Sequence, residues 1–410
     1  MKILYLHQYF NLPADPGSTR SYEMARRLVA AGHEVVMVTS DYRQRFGHRG
    51  WKVTREAGIE VHWLSVPYAN RMGYGQRIKA FLQFAIGAAT RAARIPADVV
   101  FATSTPLTIV LPGLFTARRQ HIPMVFEVRD LWPELPIAMG ALKGPLIPPA
   151  RWLARLAYRN AAHIVALSPD MARGVEQWGV PAHRITVIPN ASDLDLFQNA
   201  REAGEKFRKA HDWLQARPLV VYTGTLGRIN GVDYLARVAA EVIKMAPDIR
   251  FLVVGEGAKE EEVRETARAL GVLDVNFFML PPFPKHQMPM ILGAATVATS
   301  LFINLPEMWA NSANKFFDAL AAGTPLAINY RGWQAEVLTQ TGAGIILPPH
   351  DASVAAKKLV QFIKDKERLT RASRAARQLA ETRFNREHLA RQLEKVLQEA
   401  VEHFSDGTRI

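Results

Sequence analysis

Apolar runs alternate with amphipathic segments along the whole chain, and the alternation occurs twice. In the first half, such runs predict strands at 2–10, 34–40, 61–66, 98–104, 123–129, 163–168 and 185–190. In the second half, they predict strands at 218–224, 250–257, 275–280, 296–302, 325–330 and 344–348. Segments with helical spacing of apolar residues lie between them. This pattern is typical of parallel sheets covered by helices on both faces, so the sequence predicts an α/β protein with two Rossmann-like domains.

The predicted domain boundary lies in the polar segment 190–205. We expect an N-terminal domain over residues 1–196 and a C-terminal domain over 197–385. A last amphipathic helix, 386–404, is expected to pack back on the N-terminal domain. Within the first domain, Ser18 is a candidate N-cap for a helix that ends near Gly32. Open parallel sheets bind ligands at the carboxyl ends of their strands, so we expect a site in a cleft between two facing domains.

Charge is distributed unevenly between the two halves. The net charge is +13; residues 1–190 hold 23 Lys and Arg against 12 Asp and Glu, and the remainder hold 28 against 26. A basic half suits a nucleic acid, an anionic membrane surface or an anionic lipid-linked substrate, with solubility as the alternative. The stretches 68–96 and 131–159 mix basic and aromatic residues. Each is interpreted either as a lipid-interface segment or as a helix packed on its domain with a solvated basic side.

Composition also narrows the cellular location. Cysteine is absent, which excludes a disulfide framework and a thiolate metal site. No stretch reaches the roughly 20 apolar residues of a membrane span, and the N-terminus lacks a signal-peptide pattern. A cytoplasmic location is expected.

The stretch 220–235 (VVYTGTLGRINGVDYL) indicates a candidate anion site. Gly224 and Gly227 allow close approach of the backbone to a ligand, and Gly231 stands at the expected helix start. A helix N-terminus favours phosphate, and Arg228 adds a forked cation. An ordinary strand-to-helix turn is an equally good interpretation at this point.

A second candidate lies at 311–329 (NSANKFFDALAAGTPLAIN). A helix predicted from about Asn314 carries Lys315 in its first turn, where the helix dipole disfavours a cation. We therefore interpret Lys315 as a ligand clamp. Asp318 lies three residues further on and could accept two ribose hydroxyls, or it could be a solvated helix residue.

Several motifs together resemble a known enzyme family. They are STRSYEMARRLVAAGHEVVMVT, ITVIPNASDLDLF, VVGEGAKEEEV and FFDALAAGTPLAIN, and they span essentially the whole chain. The chain resembles glycosyltransferase family 4, whose members have the GT-B fold. Within that family, LHQYF, FEVRDLWPE and NKFFDALAAG are similar to bacterial O-antigen and capsule enzymes that transfer N-acetylfucosamine-type sugars.

The resemblance implies a site, and the sequence departs from the family's pattern within it. The family's phosphate-binding Arg and Lys fall on Thr225 and Asn230, and the first of its two glutamates falls on Ala310. The second glutamate falls on Asp318. Arg228 and Lys315 are thus the candidate catalytic cations. The implied donor-binding residues are Gly17, Arg129, Gly224, Thr225, Asn230, Gly255, Asn311, Ser312, Asn314 and Asp318.

The first-domain loop 13–20 falls where family members offer backbone N–H groups to the leaving phosphate. Gly17 would permit that approach, and Asp15 would act on the acceptor hydroxyl or serve as a plain turn residue. The family's His-Asp pair becomes Arg129-Asp130. His7, at the end of the first strand, points either into the cleft or into the core.

Metal and dinucleotide sites are not expected. Asp193-Leu194-Asp195 mimics a metal-binding Asp-x-Asp, but it lies in the predicted linker, whereas a Mg²⁺ site would sit beside phosphate. Gly255-Glu256-Gly257 lacks the third glycine of a dinucleotide fingerprint. No cofactor is expected.

The resemblance implies a retaining, metal-independent hexosyltransferase-type enzyme. It would move a sugar, an N-acetylated amino sugar in the nearest subgroup, from a UDP-sugar to a polyprenyl-diphosphate-linked or other lipid-linked saccharide. The enzyme would serve bacterial surface polysaccharide synthesis, peripherally on the inner face of the cell membrane. The alternatives are a non-catalytic sugar-nucleotide or saccharide-binding protein on the same fold and, disfavoured because no nucleic-acid module is recognisable, a nucleic-acid binder.

Overall fold

A computed structural model describes residues 1–15, 17–69, 72–191 and 194–407. The chain forms two compact units, one comprising Met1–Pro189 with Glu387–Ile410 and the other comprising Asn190–Arg386. The first unit thus ends seven residues before the boundary expected after residue 196.

The first unit contains an eight-stranded sheet in the order β3-β4-β2-β1-β5-β6-β7-β8. Its elements in chain order are β1 (Lys2–Leu6), α1 (Arg20–Ala30), β2 (Glu34–Ser40), β3 (Trp51–Glu56), β4 (Ile59–Leu64), α2 (Tyr74–Ala92), β5 (Val99–Thr103), α3 (Val110–Gln120), β6 (Met124–Val128), α4 (Glu134–Ala138), α5 (Ile147–Asn160), β7 (His163–Ala166), α6 (Pro169–Glu176) and β8 (Ile185–Val187).

Strand pairing in this sheet is parallel except at one edge. β3 pairs antiparallel with β4, and the Ala57-Gly58 turn between them has positive φ at both residues, 49° and 83°. The sequence analysis did not predict β3, because only two of the six residues of WKVTRE, Trp51 and Val53, are apolar. β1 lies between β2 and β5, so the chain reverses direction across the sheet at the carboxyl end of β1.

The second unit contains a six-stranded parallel sheet in the order β11-β10-β9-β12-β13-β14. Its elements are α7 (Ala200–Lys209), β9 (Leu219–Thr223), α8 (Asp233–Val242), β10 (Arg250–Val254), α9 (Glu260–Ala269), β11 (Phe277–Leu280), α10 (Met288–Ala294), β12 (Val297–Ser300), α11 (Asn314–Ala321), β13 (Leu326–Ile328), α12 (Trp333–Thr341), β14 (Gly344–Ile346), α13 (Ala352–Lys364) and α14 (Lys366–Thr382).

The strand order of this sheet reverses between β9 and β12. The chain runs from β9 outward to β10 and β11, and it then returns to β12 on the other side of β9. Open α/β sheets bind ligands at this type of reversal, outside the carboxyl ends of the strands. A ligand site in this unit is therefore expected at the loops after β9 and β12.

The last helix, α15 (Arg386–Ser405), belongs almost entirely to the first unit. One of its faces is buried through Leu389, Leu393 and Leu397. Glu394 Oε1 lies 2.9 Å from the His33 Nε2 of the loop before β2. Because more than 350 residues separate these partners in sequence, α15 anchors the C-terminal segment to the first unit.

Candidate functional site

In the second unit, the loop after β9 packs directly against the loop after β10. The Gly224 N–H donates to the Val254 carbonyl over 2.9 Å, and the Leu226 N–H donates to the Glu256 carbonyl over 2.8 Å. A Cβ on Gly255 would lie 1.9 Å from the Gly224 carbonyl oxygen. Gly255 therefore has a structural reason to be glycine, because it lets the two loops approach.

Lys315 reaches this loop from the first turn of α11. Its ammonium lies 2.7 Å from the Tyr222 hydroxyl and 4.0 Å from the centre of the Tyr222 ring. A Cβ on Gly224 would lie 3.2 Å from the Lys315 Nζ, so this glycine leaves the ammonium approachable. The Tyr222 hydroxyl donates its own hydrogen to the Thr225 carbonyl over 2.8 Å, which fixes it as the acceptor for Lys315.

No carboxylate in the described part of the chain pairs with the Lys315 ammonium. Burial lowers the pKa of Lys315 to about 7, and within the described ranges its one hydrogen-bond partner is the neutral Tyr222. An ammonium has three donors, so two remain for another group. A buried cation is unfavourable unless an anion accompanies it. The arrangement can therefore hold an anion.

Asp318, one turn along α11, is buried and paired with a second lysine. Its Oδ2 accepts a charged hydrogen bond from Lys285, which follows β11. Its Oδ1 is buried and has no hydrogen-bond partner in the described part of the chain. The solvated interpretation of Asp318 is wrong, since the residue is 7% exposed. One carboxylate oxygen remains able to accept a hydroxyl.

The other predicted residues of this loop have different positions. The Arg228 side chain is exposed, and no hydrogen bond or ion pair holds it to any described residue. The Asn230 Oδ1 accepts from the Gly227 N–H over 3.3 Å, closing a turn. Thr225 is exposed and contributes its carbonyl to Tyr222. α8 begins at Asp233 rather than at the glycine at 231.

The loop before α11 is braced from within the second unit. The Asn311 amide donates to the Met308 carbonyl over 2.6 Å, and the Asn311 carbonyl accepts from the Trp333 indole over 2.7 Å. The Ser312 hydroxyl accepts from the Asn190 N–H over 3.1 Å. These contacts hold the loop in shape and occupy both side chains. Asn314 is the half-buried first residue of α11.

In the first unit, Arg129 joins the loops after β1 and β6. Its guanidinium lies 3.1 Å from the His7 Nε2 and donates to the Ser18 hydroxyl over 3.1 Å. Arginine can only donate, so the His7 Nε2 is an acceptor and the ring is neutral. Burial, reinforced by Arg129, lowers the pKa of His7 well below its ordinary value. His7 is therefore a core residue at this reversal of the sheet.

Ser18 does not cap α1, contrary to the sequence prediction. The helix begins at Arg20, Thr19 occupies the N-cap position, and that residue makes no side-chain capping hydrogen bond. From the position before it, the Ser18 hydroxyl accepts from the Arg20 N–H over 3.4 Å and from Arg129 over 3.1 Å. Arg129 therefore holds the loop that precedes α1 through this hydroxyl.

Asp15 and Gly17 lie in this loop with separate roles. The Asp15 Oδ2 accepts from the Leu12 N–H and from Arg45, each over 2.8 Å. This carboxylate therefore has two donors already and acts as a brace for the loop. Gly17 is exposed with φ +113°, and a Cβ there would lie 3.0 Å from the Asn11 amide nitrogen.

Within the described ranges, no group of three or more His, Asp or Glu side chains is placed to hold a metal ion. Asp193 of the Asp-x-Asp pattern lies outside the described residues, and Asp195 begins a short 3₁₀ turn. No described helix is long and apolar enough to cross a membrane.

Comparison with known proteins identifies the family. Residues 17–191 match the model of the glycosyl transferase 4-like domain, and residues 204–379 match that of the glycosyl transferases group 1. The chain therefore belongs to the glycosyltransferases built from these two domains, and its fold is GT-B.

Individual relatives agree with this assignment. The chain is 23% identical over 391 residues to the putative colanic acid biosynthesis glycosyl transferase WcaI of Escherichia coli (strain K12), covering 90% of this chain and 93% of that protein. Sucrose-phosphate synthase from Thermosynechococcus elongatus superposes with a TM-score of 0.78 at 16% identity, covering 97% of this chain and 98% of that chain. HepE from Anabaena in complex with UDP-glucose superposes with a TM-score of 0.73 at 17% identity, covering 97% and 100%.

Tyr222 and Lys285 were not predicted from the sequence. Tyr222 lies inside an apolar strand, where a tyrosine carries no special signal. Lys315 was singled out because it is a cation at the N-terminus of a helix. Lys285 begins a 3₁₀ turn, so the same argument could have found Lys285.

Proposed function

We propose that the protein transfers a sugar from a UDP-sugar to a lipid-linked saccharide in bacterial surface polysaccharide synthesis. The observation that carries the proposal is the half-buried Lys315 ammonium beside Gly224, which no carboxylate among the described residues pairs. A donor diphosphate would supply the missing anion. The UDP-glucose complex of HepE supports a uridine nucleotide as the donor, and the name of WcaI supports polysaccharide synthesis.

In this proposal, Lys315 and Arg228 neutralise the leaving diphosphate. Electrostatic stabilisation of developing charge is a large catalytic term in a site from which water is excluded. The unpartnered Asp318 Oδ1 accepts a ribose hydroxyl. In the first unit, the Gly17 loop adds backbone donors to the phosphate, and Arg129 contacts the donor sugar, an N-acetylated amino sugar.

The proposed reaction retains the anomeric configuration and needs no metal. The bond between the anomeric carbon and the diphosphate oxygen breaks, the acceptor oxygen bonds to that carbon on the same face, and the leaving phosphate takes the acceptor's proton. A double displacement would need a carboxylate placed as nucleophile. Ala310 stands where the family has its first glutamate, and Asp15 is engaged with Arg45, so neither position offers one.

A lipid-linked acceptor requires access to a membrane, and three helices of the first unit offer a suitable surface. α2, α3 and α5 cover one face of the sheet, α3 contacting both of the others. Together these helices carry eight Arg and Lys and not one Asp or Glu. Their exposed apolar residues are Ile78, Leu82, Ile86, Phe115 and Trp152.

This combination of basic and apolar groups suits an anionic lipid interface. Ile86 is 67% exposed and Trp152 is 60% exposed, so both can enter the headgroup region while nearby Arg and Lys meet lipid phosphates. Each helix also packs on the core through its other face. The stretches 68–96 and 131–159 would therefore both pack on their domain and present a lipid-interface surface. Arg71 of the first stretch lies outside the described residues. We place the protein peripherally on the inner face of the cell membrane.

The donor assignment is tested by UDP binding to Lys315→Met and Arg228→Ala variants in isothermal titration. Each is expected to weaken binding by about tenfold or more, because a charged hydrogen bond to phosphate is lost. Lys357→Met on the exposed side of α13 is the matched control and should bind like the wild type. Unchanged affinity in both site variants would sink the phosphate assignment.

The membrane assignment is tested by flotation with vesicles rich in phosphatidylglycerol. The wild type should float with these vesicles and not with neutral ones, and an Ile86→Ser, Trp152→Ser variant should lose most of this binding. Val275→Ser removes a similarly exposed apolar side chain from the second unit (53% exposed) and should leave flotation unchanged. Equal binding to neutral vesicles would contradict the electrostatic part of the proposal.

Ala310 favours one alternative, a sugar-nucleotide or saccharide-binding protein without catalysis. The position is apolar and buried where the family has a carboxylate. Sugar transfer, or slow hydrolysis of a bound UDP-sugar, would exclude this alternative. Binding of UDP with neither reaction would favour it.

A further inference from the structure

A second concave site lies in the second unit, at the carboxyl ends of β12, β13 and β14. The cavity has a volume of about 590 Å³, within the range of small-molecule sites. The loops that follow these three strands form its walls, and α13 contributes Lys358. Its polar lining residues include Asn304, Asn329, Arg331 and His350.

The cavity carries unpaired positive charge. Arg331 and Lys358 are both exposed, and neither makes a hydrogen bond or an ion pair with any residue the structure describes. No Asp or Glu is among the lining residues. Asn304 and His350 are joined to each other by a 2.6 Å hydrogen bond across the wall. The two cations are thus available to an anion that enters the cavity.

The remaining lining is flat and apolar. Trp309, Pro348 and Pro349 line the cavity, together with Ile346 and Leu347 at the end of β14. A sugar ring combines apolar C–H faces with polar edges, so it suits a cavity with an aromatic residue and a few polar groups. A carboxylate has two acceptor oxygens, so it can take hydrogen bonds from a forked guanidinium and from an ammonium together.

The cavity adjoins the proposed diphosphate site through one aromatic side chain. The Phe302 ring lies 6.0 Å from the Lys315 Nζ and 5.1 Å from the ring of Tyr330, which lines the cavity. The Asn329 Oδ1 accepts from the Phe302 N–H over 3.0 Å. A saccharide in the cavity would therefore lie beside a donor whose diphosphate meets Lys315.

We propose that this cavity binds a hexuronic acid residue of the saccharide acceptor, with its carboxylate held by Arg331 and Lys358. This inference rests on the proposed glycosyltransferase function, because it names the chemical class of the acceptor. It also assigns a binding role to the second unit besides that of holding the donor.

The test measures, by isothermal titration, the binding of a glucuronosyl disaccharide to the full chain saturated with UDP. The neutral glucosyl disaccharide, glucose 6-phosphate and UDP-glucuronate are measured beside it. The variants are Arg331→Gln and Lys358→Met, both at exposed positions. Lys357→Met, the neighbouring lysine that does not line the cavity, is the matched control.

The glucuronosyl disaccharide is expected to bind at least about tenfold more tightly than the neutral one, since a charged hydrogen bond to the carboxylate is gained. Arg331→Gln and Lys358→Met should each reduce that preference, and Lys357→Met should keep it, with UDP affinity unchanged in all three. Equal binding of the two disaccharides would overturn the inference, as would tighter binding of glucose 6-phosphate.

Two further outcomes separate this inference from the proposed function. A preference for UDP-glucuronate over UDP-glucose that depends on Arg331 would place the carboxylate on the donor sugar and overturn the acceptor assignment. A failure of UDP to bind would count against the proposed function. The disaccharide titration without UDP would still report whether the cavity selects a carboxylate.

Discussion

Donor affinity should depend on pH through Lys315. Burial lowers the pKa of this ammonium to about 7, and a diphosphate beside it would raise that pKa by favouring the charged form. Donor binding above neutral pH therefore requires proton uptake at Lys315. As the pH rises through 7, more of the free protein is neutral at this position, and the donor should bind more weakly.

The magnitude follows from the titration of one group. With a pKa of about 7, roughly 90% of the free protein carries the ammonium at pH 6 and roughly 9% at pH 8. If only the charged form holds the diphosphate, the apparent Kd rises about tenfold between these values. UDP-glucose is the suitable ligand, because both of its phosphates are diesters that stay ionised throughout this range.

Isothermal titration in two buffers with different ionisation enthalpies measures both the Kd and the protons taken up. Lys315→Met should bind weakly and show neither the slope nor the uptake. Arg228→Ala should bind UDP-glucose more weakly than the wild type by the same factor at every pH, because a guanidinium stays charged. A Kd for the wild type that does not change between pH 6 and 8 would refute the reasoning, as would the same slope in Lys315→Met.

Two predictions concern stability. Gly255→Ala should lower the free energy of unfolding of the second unit by about 2–3 kcal/mol, because the new Cβ would meet the Gly224 carbonyl. Gly271→Ala is the control: nothing lies within 4 Å of its Cβ position, so it should cost only about 1 kcal/mol for its positive φ. Equal losses for the two variants in urea unfolding would contradict this. Glu127→Gln should cost about 3 kcal/mol, because it leaves the buried Arg20 without its carboxylate at 2.8 Å. Adding Arg20→Met should restore part of the loss in a double-mutant cycle; a loss larger than the sum of the two single variants would argue against an ion-pair cause.

The predicted strands and the structure agree where apolar runs are continuous, because strands buried on both faces need apolar residues at every position. β3 was missed because it is an edge strand, half of whose side chains face solvent. Its hairpin turn combines Ala57 and Gly58 at positive φ. Alanine gives no sequence signal for such a turn.

The site was predictable where a residue type conflicts with its local position. Lys315 opposes the dipole of α11, and that conflict singled it out; its ammonium contacts the Tyr222 hydroxyl, and its role as a ligand clamp stays a prediction. Tyr222 and Lys285 act through partners 93 and 33 residues away, which no local pattern reveals. Asn230 and Ser312 were selected by position in a motif; their side chains accept from the Gly227 and Asn190 backbone N–H groups, and their donor-binding roles stay predictions.

The most direct test of the central claim is a thermal-shift panel with UDP, GDP, ADP, NAD and single-stranded DNA, each with EDTA and with Mg²⁺. A ligand that binds only the folded state raises the Tm by mass action. The account predicts a shift that is selective for UDP, persists in EDTA and disappears in the Lys315→Met, Arg228→Ala double variant. No nucleotide shift, or one that requires Mg²⁺, would contradict a metal-independent donor site.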